Sequence, residues 1–347
     1  MSEPLPLVPM PYDASILDAS LGDGWPALLA TAFRWMTLGR ALDRRMLGLQ
    51  RQGRIGFYGP ATGQEAVSVG AGLAVRPEDW VFPGLREQLL ALVRGHPLER
   101  YAHHLFADAR DPALGRQMPC HPSARDVRYV SMSSVIGTQI SQAVGVGFAQ
   151  RRARDPGATL AFFGDGASSS NDFHAGLNFA GVFRLPVVFC LTNNQWAISV
   201  PVERQTRTAI LAEKSRAYGF PGSRIDGTDV VAVIASLRAA LVRARSGDGP
   251  SLIEFVVFRM TPHSSSDDPT RYQPSDFLAR GRATDPVDRL KELLERLKLL
   301  TPEAEARLSE AADLEVRRAI EAAESTPPPP PESLTAGVFS SSRSNGG

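Results

Sequence analysis

Between residues 25 and 52 apolar side chains recur at three- and four-residue spacing with arginines between them, which predicts one long helix. Further along, short apolar runs alternate with longer helical patterns. Residues 159–163 read as a buried strand, and a helix over about 171–183 separates them from a second strand at 186–191. A helix over about 230–245 leads into a further strand at 251–258. Strands alternating with helices predict an α/β fold: a doubly wound parallel sheet covered on both faces, with ligands at the carboxyl ends of the strands.

Two amphipathic helical patterns follow, at about 286–300 and 302–323, and are expected to serve subunit contacts. The proline run 327–331 then stops the helix and favours polyproline II. Residues 1–24, rich in Pro and small side chains, read as an extended N-terminal arm. Residues 25–325 read as one domain, and 326–347 as a Pro-rich tail with a disordered end. The chain shows no internal repeat.

Composition narrows the classes. With 38 Lys plus Arg against 37 Asp plus Glu the formal net charge is +1, which gives no basic excess for general nucleic-acid binding. Two cysteines, Cys120 and Cys190, cannot supply a disulfide framework, and Cys190 sits in an apolar run that predicts an inert, buried thiol. No apolar stretch reaches the ~20 residues that span a bilayer. The N-terminus has neither a basic region followed by an apolar one nor a basic amphipathic pattern, so a cytoplasmic location is the expectation.

The strongest local signal is Gly164-Asp165-Gly166 after one predicted strand and Asn193-Asn194 after the next. Residues 167–192 lie between them, the length of one helix plus one strand. That spacing returns the chain to the same sheet edge, so Asp165 and Asn194 can converge. A carboxylate and an amide oxygen are hard ligands suited to Mg²⁺, which also holds phosphate oxygens. The glycines allow close approach of a diphosphate, and the next helix aims its N-terminus at the anion. Either motif alone reads more simply as a turn or a loop; the pairing at this spacing favours the site.

Gly164-Asp165-Gly166 through Asn193-Asn194 resembles the thiamin-diphosphate signature. Gly115-Arg116-Gln117-Met118-Pro119, Ser133-Ser134 with Thr138-Gln139, Arg54-Ile55-Gly56-Phe57-Tyr58, Asn194-Gln195-Trp196-Ala197-Ile198-Ser199 and His263-Ser264-Ser265-Ser266-Asp267-Asp268 extend the likeness. Together they resemble α subunits of branched-chain 2-oxo-acid dehydrogenases, from about residue 30 to 325. The resemblance implies a thiamin-diphosphate-dependent oxidoreductase that decarboxylates 2-oxoisovalerate and its analogues. The acyl group then passes to a lipoyl domain of an acyltransferase. Thiamin catalysis needs a carboxylate to protonate the pyrimidine ring. The resemblance assigns that glutamate to a separate β subunit, so an α₂β₂ heterotetramer is implied and the chain alone should be inactive.

Residue by residue, the resemblance implies that Asp165, Asn194 and the Trp196 carbonyl bind Mg²⁺, and that Gly164, Gly166 and Ala167 border the cofactor. Arg86 pairs with the diphosphate, and Ser134 and Ile136 contact the aminopyrimidine. Ser133, Val135, Thr138 and Gln139 match a structural monovalent-cation site, which leaves K⁺ open. His263 faces the reactive carbon, where a near-neutral pKa suits proton donation; alone, such a histidine reads as a structural one. Its polar loop is expected to be too hydrophilic for burial. The neighbouring serines, Ser264 first, match a regulatory phosphorylation site, though a merely polar catalytic loop explains them equally. Two departures stand out: Leu85 where the family has Tyr, and Thr192 where mitochondrial members have a phosphate-binding Arg. The alternatives are an α subunit acting on pyruvate or acetoin and, from another class, a non-catalytic scaffold.

Overall fold

In the computed structural model, which describes residues 11–335, the chain opens with α1 (Ala14–Leu21) and α2 (Trp25–Arg51). Then come α3 (Glu65–Ala74), β1 (Trp80–Phe82), α4 (Gln88–Val93), α5 (Leu98–Phe106) and α6 (Thr138–Ala153). The centre is β2 (Thr159–Gly164), α7 (Asn171–Val182) and β3 (Val187–Asn193), followed by two short strands, β4 (Trp196–Ala197) and β5 (Val200–Pro201). The chain continues through β6 (Gly222–Asp226), α8 (Val230–Arg245) and β7 (Ser251–Val256) to α9 (Phe277–Ala283), α10 (Pro286–Arg296) and α11 (Pro302–Glu324).

The parallel sheet has the order β1-β2-β3-β7-β6. The α7 crossover lies on one face with α6, and the α8 crossover on the other with α3. A right-handed crossover that reverses its direction across the sheet must also change face. The doubly wound expectation is therefore met. The two central strands are buried on both sides and their residues alternate between two cores. Leu160, Phe162, Val188 and Cys190 join the face under α8, while Ala161, Phe163, Val187, Phe189 and Leu191 join the face under α6 and α7. Burial pushes the Cys190 thiol far up, as its apolar setting predicts.

Two expectations are corrected. The segment read as an extended arm contains α1, because Asp13 caps it by accepting the Ile16 N–H at 2.9 Å. Leu17 and Leu21 are buried, and Tyr12 donates to Asp229 at the start of α8; residues 1–10 lie outside the described residues. The helices expected to serve subunit contacts use their apolar stripes inside the chain instead. Leu290, Leu293 and Leu294 of α10 and Ala312, Val316 and Ile320 of α11 are buried in the cluster that α2 and α5 complete. The disordered end assigned to the tail falls largely beyond residue 335. Among the described residues no helix is long and apolar enough to cross a membrane.

Candidate active site

At the carboxyl ends of β2 and β3, Gly164 is in register with Thr192, so the two motifs leave the sheet side by side. Asp165 opens a short 3₁₀ turn and is 1% exposed. Its carboxylate accepts Gln205 Nε2 at 2.6 Å, with the backbone N–H of Asn194 close by and both residues lining one cavity. The predicted convergence of Asp165 and Asn194 is therefore realised. Burial pushes the Asp165 carboxyl up to about 6, against the opposing pull of these donors and Arg259. Asn194 Oδ1 caps the Trp196 N–H at 3.2 Å, whereas Asn193 turns away to Glu254. A Cβ on Gly166 would lie 2.8 Å from the Cβ of Ala197, so only glycine lets this turn pass beneath β4. The Trp196 carbonyl is not free: Arg259 Nη1 donates to it at 3.4 Å.

Arg86 follows β1 and is 5% exposed. It donates to the Pro60 carbonyl, to the His263 carbonyl at 2.8 Å, and to His263 Nδ1 at 3.3 Å. Pro60 is fixed from below, since buried Asp43 of α2 accepts Tyr58 Oη, the Ala61 N–H and Thr62 Oγ1 at 2.8, 2.8 and 2.6 Å. Glu65 of α3 accepts the Gly63 N–H at 2.8 Å. The helices α2 and α3 thus set the position of this guanidinium from behind the cavity wall.

His263 departs from two expectations. Its loop is partly buried, with Ser264 only 8% exposed, because Asp267 accepts the His263 N–H at 2.7 Å and Tyr272 Oη at 2.6 Å, and Arg259 donates to Tyr272 Oη at 2.6 Å. The imidazole is also far from a near-neutral pKa. Burial, then Arg86 and Arg259, push it down to about 4. Burial and the neighbouring Arg259 push Arg86 down to about 10, which still leaves it charged at neutral pH. A donor aimed at Nδ1 makes that nitrogen the acceptor, so the proton of neutral His263 sits on Nε2.

The loop before α6 brings its predicted residues together. Ser133 Oγ accepts the Val135 N–H at 3.1 Å, and Thr138 Oγ1 donates to the Val135 carbonyl at 3.0 Å. Gln139 Nε2 donates to the Phe162 carbonyl at 2.9 Å, leaving a buried Oε1 with no hydrogen-bond partner. Gly137, at φ +89°, makes the turn into the helix.

These elements enclose a cavity of about 430 Å³, a volume suited to a cofactor. Arg86, Ser133, Ser134, Ile136, Gln139, Gly164, Asp165, Gly166, Ala167, Asn194, Trp196 and His263 all line it. Val135 and Thr138 do not. Leu85 and Thr192 also line the wall; Thr192 Oγ1 lies 3.4 Å from Glu87 Oε1, so a hydroxyl stands where a second guanidinium was missed. The sequence does not single out Gln64, Glu87, His121 and Met132 in the lining, or Gln205 behind Asp165. Of these, Gln205 lies on a loop with no periodicity, and only the fold brings it to Asp165. At the mouth, Val135, Ile136 and Ile198 are 65%, 64% and 53% exposed, an apolar rim facing outward.

The chain matches, over residues 33–332, the family described as Dehydrogenase E1 component, and it belongs to that family of thiamin-diphosphate-dependent 2-oxo-acid dehydrogenases. It is 43% identical over 267 residues to the 3-methyl-2-oxobutanoate dehydrogenase subunit alpha of Mycobacterium tuberculosis (strain ATCC 25618 / H37Rv), covering 76% of this chain and 69% of the relative. It is 38% identical over 298 residues to the mitochondrial 2-oxoisovalerate dehydrogenase subunit alpha 1 of Arabidopsis thaliana, covering 86% and 63%. It is 37% identical over 311 residues to the pyruvate dehydrogenase E1 component subunit alpha of Bacillus subtilis (strain 168), covering 89% and 81%.

Proposed function

We propose that this chain is the α subunit of a branched-chain 2-oxo-acid dehydrogenase, which decarboxylates 2-oxoisovalerate and passes the acyl group to a lipoyl-bearing acyltransferase. The observation that carries the reading is a single cavity uniting Asp165, Asn194, Arg86 and His263 from four separate strand ends and loops. When bound, thiamin diphosphate supplies the carbanion chemistry that no protein side chain can.

The residues fit that group. Asp165 is a buried carboxylate whose charge is poorly solvated, a property that a small dication relieves. Arg86 is a buried cation whose partners are carbonyls and an imidazole, so its charge is available to a diphosphate. Asp165 and Asn194 would hold Mg²⁺, with the Trp196 carbonyl joining once Arg259 yields it. The unpartnered oxygen of Gln139, with Ser133, Val135 and Thr138 beside it, suits K⁺. Ser134 and Ile136 would receive the aminopyrimidine. His263, neutral with its proton on Nε2, would orient the substrate by donating a hydrogen bond, and a diphosphate at Arg86 would raise its basicity.

The apolar rim of Val135, Ile136 and Ile198 is where a β subunit would complete the cavity, carry the glutamate for the pyrimidine ring and build α₂β₂. A cytoplasmic location belongs to the same reading. Phe57, Met118 and Met132 give the lining an apolar end for a branched side chain. The similarity to a pyruvate dehydrogenase subunit along most of this chain favours pyruvate as the second reading. Co-expression with the β subunit and comparison of kcat/KM for 2-oxoisovalerate and pyruvate decides between them. Loss of preference for the branched acid by tenfold or more would move the assignment to pyruvate, and an assembled complex inactive on both would end it.

A further inference from the structure

His121 lies at the junction of two cavities, one the site described above and the other a smaller one of about 90 Å³. It is 3% exposed, and its ring lies 6.4 Å from that of Phe57. Its backbone N–H and both ring nitrogens are committed. Its N–H donates to His104 Nε2 at 3.1 Å, and His104 Nδ1 is 3.2 Å from Asp111 Oδ1, which fixes the orientation of that second imidazole. The His121 ring pairs through Nδ1 with the Pro119 carbonyl at 2.8 Å. A carbonyl can only accept, so the ring proton sits on Nδ1 and Nε2 is left as an acceptor. Nε2 in turn meets Ser134 Oγ.

The consequence falls on Ser134. A hydroxyl has one proton and two acceptor lone pairs. With its proton given to His121, Ser134 can only accept from whatever occupies the cavity. We propose that His121 is a positioning residue that commits Ser134 to the acceptor role, so that this end of the site selects a ligand carrying an N–H donor over one carrying an oxygen acceptor. The inference deepens the thiamin reading and rests on it: the aminopyrimidine has such a donor in its 4′-amino group. Burial pushes the His121 imidazole pKa down, which favours the neutral ring that this arrangement uses.

The test uses the assembled α–β complex, with thiamin diphosphate and its 4′-oxo analogue as probes and dissociation constants measured by calorimetry in Mg²⁺. Gln places an acceptor near the former Nε2 position, whereas Asn reaches only to Nδ1. His121→Gln should keep the wild-type preference for the amino form. His121→Asn frees the Ser134 proton and should lower that preference roughly tenfold, the worth of about one hydrogen bond. Ser134→Ala should lower it equally, and His121→Asn with Ser134→Ala should fall no further than either alone. A structural role for His121 would weaken both probes alike and leave their ratio unchanged. That result, or His121→Gln and His121→Asn behaving identically, overturns the inference. Failure of the wild-type complex to bind thiamin diphosphate overturns the reading beneath it.

Discussion

Arg86 holds His263 by both its carbonyl and its Nδ1, across 177 residues of chain. One guanidinium therefore fixes the position, the tautomer and the charge state of the imidazole together. Replacing Arg86 by Met removes the second of the two largest causes of the depressed His263 pKa, after burial. Following the His263 ring protons through a pH titration by NMR should show the midpoint rising from about 4 part of the way toward 6.5, the value of an unperturbed histidine. An unchanged midpoint would mean that burial and Arg259 set it without Arg86.

The same shift bears on stability. His263 binds its proton less readily folded than unfolded, so its contribution is full above about pH 6.5 and is lost as the pH falls toward 4. Asp165 acts in the opposite direction. Its folded pKa of about 6 lies above the ordinary 3.8, so its contribution is present below about pH 4 and is lost as the pH rises through 6. Asp165→Asn removes the buried charge and should raise Tm at pH 7.5 without metal by about 2–5 °C, while abolishing joint binding of Mg²⁺ and thiamin diphosphate. Calorimetry in buffers of differing ionisation enthalpy should also detect proton release on metal binding near pH 6 in the wild type and none in the variant. Equal metal affinity in both proteins would remove Asp165 from the site.

Much of this arrangement is legible from residue pattern. The buried strands 159–163 and 186–191 stand out because both faces are apolar, and the spacing of Asp165 and Asn194 then requires them to meet. What escapes notice has a physical cause in each case. β1 is an apolar run of only Trp80–Phe82, too short to mark a strand, and β6 is the polar edge segment Gly222–Asp226, which carries no apolar run. Asp13, three residues before Ile16, is a capping signal, but the prolines before it dominate the composition and point to an extended arm. The pKa of His263 depends on Arg86 and Arg259, whose approach no spacing rule predicts. The faces of α10 and α11 are visible as stripes, but a stripe does not say whether its cover belongs to the same chain.

Tyr272 is the keystone of the His263 loop, taking a hydrogen bond from Arg259 and giving one to Asp267. Tyr272→Phe removes both and leaves Arg259 and Asp267 joined only by their long direct ion pair at 4.0 Å. Protease cleavage within residues 264–272 should accelerate, and turnover should fall on the order of tenfold, with cofactor affinity changing less. Wild-type cleavage kinetics would show that the loop is held elsewhere.

Phe162 on β2 is wholly buried beneath α8, and its carbonyl receives Gln139. Phe162→Ala should cost about 3–5 kcal/mol of stability by denaturant unfolding. A loss below about 1 kcal/mol would mean that the core under α8 closes over the cavity left behind.

The outward rim of Val135, Ile136 and Ile198 leaves one side of the chamber apolar and exposed, and in the proposed assembly a second chain supplies that wall. In the proposed assembly two equilibria then become one. Whatever factor the second chain adds to cofactor affinity, the cofactor must add to the affinity of the chains for each other. Dilution would strip cofactor, and saturating cofactor would resist dilution. Thiamin supply would thus set how much of the chain exists as a complex, so that vitamin status is read out as quaternary structure.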